Sequence, residues 1–173
     1  MRAVVVTAVL LLVVLMFMSA SAADMCKTKF PPIPCTNTKL GDGWVQITKK
    51  RCVKAFYDNL VYTDAQRACR KYPHGLLVSI HNDDNQSQVQ CAMYRATTRK
   101  VQYYIGLIST TVNGKNAWTW TDGSVFNYQR WGAGQPDNYN NREHCVEMVS
   151  WDSGLWNDVA CADKKSYVCE VLV

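Results

Sequence analysis

Eight cysteines in a chain of 173 residues constrain this fold more than any other feature, provided the chain reaches an oxidising compartment. The N-terminus supplies that condition. Arg2 precedes an almost wholly apolar run over residues 4–18, and the small residues Ala20, Ser21, Ala22 and Ala23 follow it. A basic start, a short apolar stretch and an A-x-A-like site read as a secretory signal peptide over residues 1–23, cleaved near Ala22 or Ala23. The run is shorter than the ~20 residues that span a bilayer, so no membrane insertion is expected. About 150 residues remain, enough for one domain with a core and hardly enough for two. Eight cysteines in such a secreted chain read as four disulfides, whose pairing the sequence alone does not fix. A zinc site built from His144, Cys145 and Cys161 is the rival reading, but no C-x2-C spacing occurs and the compartment favours disulfides.

Thr63 and Gln66 form a T-x-x-Q capping box, and Pro73 and Gly75 stop the segment, so residues 63–72 are expected to be helical. A second helix is expected from Asn82 or Asp83, with Val89, Ala92, Met93 and Ala96 on one face. Cys91 falls on the opposite face, where another segment can reach it and the core does not enclose it. Residues 76–80 form an apolar run of strand length, and residues 103–107, 117–121, 145–149 and 166–171 read as strands. Residues 109–116 and 123–141 are rich in turn formers. Two helices, several short strands and a long irregular stretch give an α+β fold rather than a doubly wound sheet. Trp118, Trp120, Trp131, Trp151 and Trp156 are assigned to the core because of the area each buries. Asn85 opens the N-x-S sequence Asn85-Gln86-Ser87 and is a candidate glycosylation site.

The irregular stretch and the strands after it gather hard oxygen donors. Gln135, Pro136 and Asp137 are followed by Glu143 and then by Asn157 and Asp158. Carboxylate and amide oxygens suit Ca2+, which takes roughly 6 to 8 of them in flexible geometry. Each side-chain amide also carries N–H donors beside its metal-facing oxygen, which suits a hydroxyl that itself sits on the metal. Asp137, Glu143 and Asp158 overbalance the ion, so their mutual repulsion is expected to loosen the loop when metal is absent. Other classes of function fit poorly. The formal net charge of +5 includes Arg2, and Lys49-Lys50-Arg51 and Lys164-Lys165 form no basic stripe, so no nucleic-acid partner is expected. His74, His81 and His144 are scattered and no G-x-S-x-G element occurs, so no hydrolase is expected.

Gln135-Pro136-Asp137, Glu143 two residues before Cys145, Trp156-Asn157-Asp158 before Cys161, and Tyr167-Val168-Cys169-Glu170 together resemble a C-type lectin domain. Tyr104-Ile105-Gly106-Leu107 is similar to the Trp-Ile-Gly-Leu element of that family, with Tyr in place of Trp. The resemblance runs from about Cys35 to the C-terminus, which implies a carbohydrate-recognition domain over residues 35–173 after an N-terminal extension at 24–34. It implies a C-type lectin-like fold with short antiparallel sheets, a long calcium-binding loop region and no catalysis. It implies disulfides from Cys69 to Cys169, from Cys145 to Cys161 and, as in long-form members, from Cys35 to Cys52. Cys26 and Cys91 are left over. An intrachain bond between them is the expectation, and a bond to a second chain, giving a homo-oligomer, stays open. The resemblance also implies one principal Ca2+ held by Gln135, Asp137, Glu143, Asn157 and Asp158, with a bound sugar contacting Gln135, Asp137, Glu143 and Asn157. The amide-first order of Gln-Pro-Asp implies galactose or N-acetylgalactosamine rather than mannose, with Tyr139 where such sites carry a stacking aromatic. Ser109, Asn113 and His144 stand where members with an auxiliary calcium carry acids, so a single ion is expected. A secreted lectin of galactose-type glycans follows, with a lectin-like domain for a protein ligand as the alternative.

Overall fold

The computed structural model describes residues 23–112 and 115–173, so the residues before Ala23, where a signal peptide is expected, lie outside it. In chain order the elements are a short helix α1 at residues 23–28, strands β1 (Val45–Thr48) and β2 (Arg51–Leu60), helix α2 (Tyr62–Cys69), β3 (Leu76–Leu77) and helix α3 (Asp83–Ala96). Strands β4 (Gln102–Val112), β5 (Lys115–Trp120), β6 (Glu143–Val149), β7 (Trp156–Ala160) and β8 (Lys165–Leu172) complete the fold. The class is α+β, with three helices among the described residues where two were expected. Cys26 sits on α1.

The sheet runs β1-β2-β8-β4-β6-β7, with β3 also paired to β8 and β5 to β4. All pairs are antiparallel except β4 with β8. Successive side chains on a strand point to opposite faces, and here both faces are covered. Tyr103, Ile105, Val146, Met148 and Val168 join Val89 and Met93 of α3 in one core. Their neighbours Tyr104, Cys145, Tyr167 and Cys169 join Trp44, Tyr62 and Ala65 in the other. Trp120 and Trp156 are deeply buried, whereas Trp118, Trp131 and Trp151 are only half-buried.

Helices α2 and α3 each begin with an N–H that must find a partner outside the helix. Asn82 caps α3 by accepting from Asn85 N at 2.8 Å, and Asp83 and Asp84 complement the dipole of its first turn. No side chain caps α2. Its boundary is Val61, and the N–H of Tyr62 is satisfied by the carbonyl of Cys161 at 3.0 Å, so the capping box at Thr63 is not used. The helix also ends earlier than expected, at Cys69. A Cβ on Gly75 would lie 2.1 Å from the Cys69 carbonyl oxygen, so the chain turning back beneath the helix requires glycine there.

Four disulfides join Cys26 to Cys91, Cys35 to Cys52, Cys69 to Cys169 and Cys145 to Cys161. Cys91 is fully buried, contrary to the outer-face expectation, because α1 folds over that side of α3. Arg95 clamps the same strap by donating to the carbonyls of Cys26, at 3.0 Å, and Phe30. The other correction concerns residues 109–116. Residues 109–112 and 115–116 belong to strands, with β4 and β5 paired from Leu107↔Trp120 to Val112↔Lys115, and residues 113–114 lie outside the described residues. Residues 123–141 do remain irregular apart from a bridge at Trp131 and a 3-10 turn at Tyr139–Asn141.

Candidate metal centre

The irregular segment is stitched to the start of β7. Trp156 N donates to Arg130 O and Gly132 N donates to Trp156 O, both at 2.8 Å, and Gln135 N donates to Gly132 O at 3.0 Å. Trp156 anchors this from below. Its ring meets Trp120, Tyr128 and Trp131 edge-on, and its Nε1 donates to Gln86 Oε1 at 3.0 Å. The next bond, Gln135–Pro136, is cis. Beyond it Asp158 of β7 receives the turn, accepting from Asp137 N at 3.0 Å and Asn138 N at 2.8 Å.

Asn138, Asn140 and Asn141 have φ of 46°, 55° and 54°, a left-handed region that Asn tolerates better than most residues. These conformations curl the chain so that Asn138 Oδ1 accepts from Glu143 N at 3.1 Å and Glu143 Oε2 accepts from Tyr139 N at 3.0 Å. The Cys145–Cys161 disulfide then ties β6 to the end of β7. Asp137, Glu143 and Asp158 thereby each present a carboxylate oxygen within 4.8 Å of the others. Asp158 is fully buried and Glu143 half-buried.

Such a cluster is unfavourable without a cation. Two unit charges 4 Å apart repel by about 1 kcal/mol in water and about 4 kcal/mol at the effective dielectric of a protein surface. Glu143 registers this: burial and the neighbouring Asp158 and Asp137 push its carboxyl above the usual range, against the lowering effect of the Tyr139 N–H. Asn157 gives a second sign. Its Nδ2 donates to Glu147 Oε1 at 3.4 Å, while its Oδ1 is buried with no hydrogen-bond partner. Three carboxylates and an unsatisfied amide oxygen fit a hard cation bound by oxygen, as Ca2+ is. A thiolate-based zinc site is excluded, since Cys145 and Cys161 are bonded to each other.

Of the remaining candidates, Gln135 lies at the turn with its Oε1 accepting from Asp137 N at 3.1 Å, and an amide oxygen keeps a second lone pair. Tyr139 is 67% exposed beside Glu143. His144 points away from the carboxylates and pairs through Nδ1 with the Ser109 hydroxyl at 3.0 Å. Asn85, the candidate glycosylation position, is 6% exposed, and its Oδ1 accepts from Arg51 Nη1 at 3.4 Å. Sequence reasoning passed over Asn138, Glu147 and Lys165. Glu147 could have been noticed as the one acid inside the apolar run of β6.

A second polar group draws attention because it contains serine, histidine and aspartate. Asp122 accepts from the hydroxyls of Ser79 and Ser124 at 2.6 and 2.5 Å, and His81 Nε2 faces the same two hydroxyls at 3.1 and 3.2 Å. Burial pushes the Asp122 carboxyl up, but the bonds from Ser124 and Ser79 outweigh it and leave it below its ordinary value. The carboxylate bonds the serines and not the imidazole, and Ser79 is 1% exposed, so no nucleophile is activated. The network also takes in Arg51 and Glu170, and it fastens the start of the irregular segment to the sheet.

Comparison with known proteins agrees with this geometry. The family model for the Lectin C-type domain matches residues 58–171. Among curated relatives, C-type lectin PAL from Bitis arietans is 36% identical over 121 residues, covering 69% of this chain and 88% of its own. C-type isolectin Sp-CL4 from Scorpaena plumieri is 32% identical over 145 residues, covering 80% and 97%. The crystal structure of C-type lectin CEL-I from Cucumaria echinata superposes with a TM-score of 0.69 at 29% identity, covering 77% of this chain and 96% of that one. Human lithostathine superposes at 0.70 with 28% identity, covering 83% and 97%.

Proposed function

The chain belongs to the C-type lectin family, and from that premise we propose that it is a secreted, calcium-dependent lectin for terminal galactose or N-acetylgalactosamine. The observation that carries the calcium reading is the convergence of Asp137, Glu143 and Asp158 within 4.8 Å beside the unpartnered Oδ1 of Asn157. Gln135 completes the ligand set through its amide oxygen. Bound calcium supplies a positive centre on which two adjacent sugar hydroxyls can rest their lone pairs.

The protein's own groups choose the diol. Asp137 and Glu143 are acceptors and take hydroxyl protons, whereas Gln135 and Asn157 present amide N–H groups to hydroxyl oxygens. Gln135 before the proline and Asp137 after it fix on which side each role falls. Exchanging amide and acid would reverse the donor and acceptor pattern across the site and favour a diol of the other orientation. That asymmetry is the ground for galactose over mannose, and Tyr139 offers an exposed ring on which the apolar face of galactose can stack. No bond is made or broken. The signal peptide over residues 1–23 supports secretion, and the target is a glycan on a cell or microbial surface.

The test is chromatography of the mature protein on immobilised galactose and on immobilised mannose, each with calcium and with EDTA. Retention on galactose with release by EDTA is expected. Passage through both columns with calcium present would leave the alternative, a lectin-like domain for a non-sugar ligand.

A further inference from the structure

We infer that Glu147 and Lys165 form a buried positioning pair that decides which end of the Asn157 amide faces the metal; the inference rests on the calcium reading above. Asn157, Glu147 and Tyr104 lie opposite one another in register on the adjacent strands β7, β6 and β4. Glu147 is 2% exposed, and Lys165 of β8, also largely buried, places Nζ 2.6 Å from its Oε2. The other carboxylate oxygen, Oε1, accepts from Asn157 Nδ2.

An ionised carboxylate can only accept hydrogen bonds. Glu147 therefore holds the Asn157 amide by its NH2 end and leaves Oδ1 at the opposite end, buried and without a protein partner. Turning the amide over would set two oxygens against each other and present N–H groups to the cation. A free asparagine amide has no such preference, so the orientation comes from its neighbour. Lys165 compensates a charge that would otherwise be buried alone. Tyr104 does not compete for the carboxylate, because its hydroxyl donates to Asp163 O at 2.7 Å. Glu147 itself stands outside the group of three carboxylates that converge on the metal. It acts through Asn157.

Outer groups of this kind change metal affinity by about 10- to 100-fold when removed. The experiment compares the full mature chain with two variants, by calcium titration calorimetry and by thermal melting in EDTA. Glu147→Gln keeps the size but brings its own NH2, so Asn157 can be met by either end. The double variant Glu147→Met, Lys165→Met replaces the ion pair with apolar groups of similar size, an exchange that folds commonly tolerate. Both are expected to bind calcium about 10- to 100-fold more weakly; the double variant should melt in EDTA close to the wild type, whereas Glu147→Gln, which leaves Lys165 without its counter-charge, should melt lower. Glu147→Gln should also split the side-chain NH2 resonances of Asn157 into two sets where the wild type has one. A folded variant with unchanged calcium affinity overturns the inference, and so does a lower melting temperature in EDTA with affinity retained. Should the double variant fail to fold, Glu147→Gln decides. A wild-type protein that takes up no calcium overturns the calcium reading itself, before any variant is compared.

Discussion

Asp158 holds the backbone N–H of Asn138 at 2.8 Å, and so the turn that carries Asp137 is seated on a carboxylate of the same acidic cluster. One side chain thus has two tasks. Its oxygens also accept from Asp137 N at 3.0 Å, which organises the turn before any ion arrives.

Asp158→Asn separates the two tasks. The new NH2 must face one of two backbone N–H groups, which costs about 1–3 kcal/mol, while relief of repulsion with Glu143 and Asp137 returns about 1 kcal/mol. The variant is expected to unfold at lower urea than the wild type in EDTA, by about 1 kcal/mol, and to gain nothing from calcium. Equal urea midpoints in EDTA would mean that the two N–H bonds carry no stability.

Specificity is tested by Gln135→Glu together with Asp137→Asn. The pair of changes keeps the proline and the number of oxygen ligands, so calcium affinity should stay within a few-fold of the wild type. Free mannose should become a better inhibitor of binding to a glycan surface than free galactose. If the ratio of the two inhibition constants does not move, the order of amide and acid does not select the sugar.

Much of this site was visible in the sequence because its donors fall in two short motifs, and the strands beneath them showed as apolar runs around Cys145 and Tyr167. What was hidden depended on partners distant along the chain. Tyr62 N starts α2 against Cys161 O, so the threonine that looked like a cap had no part. Residues 109–116 read as a loop by composition, yet residues 109–112 and 115–116 pair between β4 and β5, and strand identity follows such neighbours more than intrinsic preference. Asn157 could be named as a ligand from its motif, but the group that orients it, Glu147, became apparent only once β6 lay beside β7.

Tyr139→Ala should weaken galactose binding by about 1 kcal/mol, a factor of roughly five, and leave calcium binding unaltered. The ring is exposed and only the backbone N–H of Tyr139 is used by Glu143, so truncation leaves that bond in place. Isothermal titration with galactose at saturating calcium checks it. An unchanged dissociation constant would make the ring a bystander.

The pH dependence follows from Glu143. Its folded, metal-free carboxyl lies above the ordinary value because of burial and the carboxylates of Asp158 and Asp137. A raised carboxyl favours the metal-free fold at low pH, and that contribution is lost as pH rises through the raised pKa. Calcium requires the ionised form, so its stabilising effect has the opposite sign. The gain in melting temperature on adding calcium should be full at neutral pH and decline as pH falls, beginning above the range of an ordinary glutamate. A gain that is the same at pH 7 and pH 5 would contradict this coupling.

The N-terminal strap gives the last prediction. Cys26 and Cys91 close a span of 65 residues, and among the described residues no cysteine is free. The wild-type protein should therefore run at monomer mass on a non-reducing gel; a band at twice that mass would place one of these cysteines in a bond between chains. Chain entropy sets the worth of such a cross-link at about 4 kcal/mol. Cys26→Ser with Cys91→Ser should lose somewhat less than that, because Arg95 still grips the carbonyls of Cys26 and Phe30. The strap meets α3, and the carboxylates belong to β6, β7 and the segment before β6. Calcium and galactose affinities at 25 °C should accordingly match the wild type while the urea midpoint falls. Loss of sugar binding in a variant that is still folded would show that the N-terminal segment supports the site as well as the helix it covers.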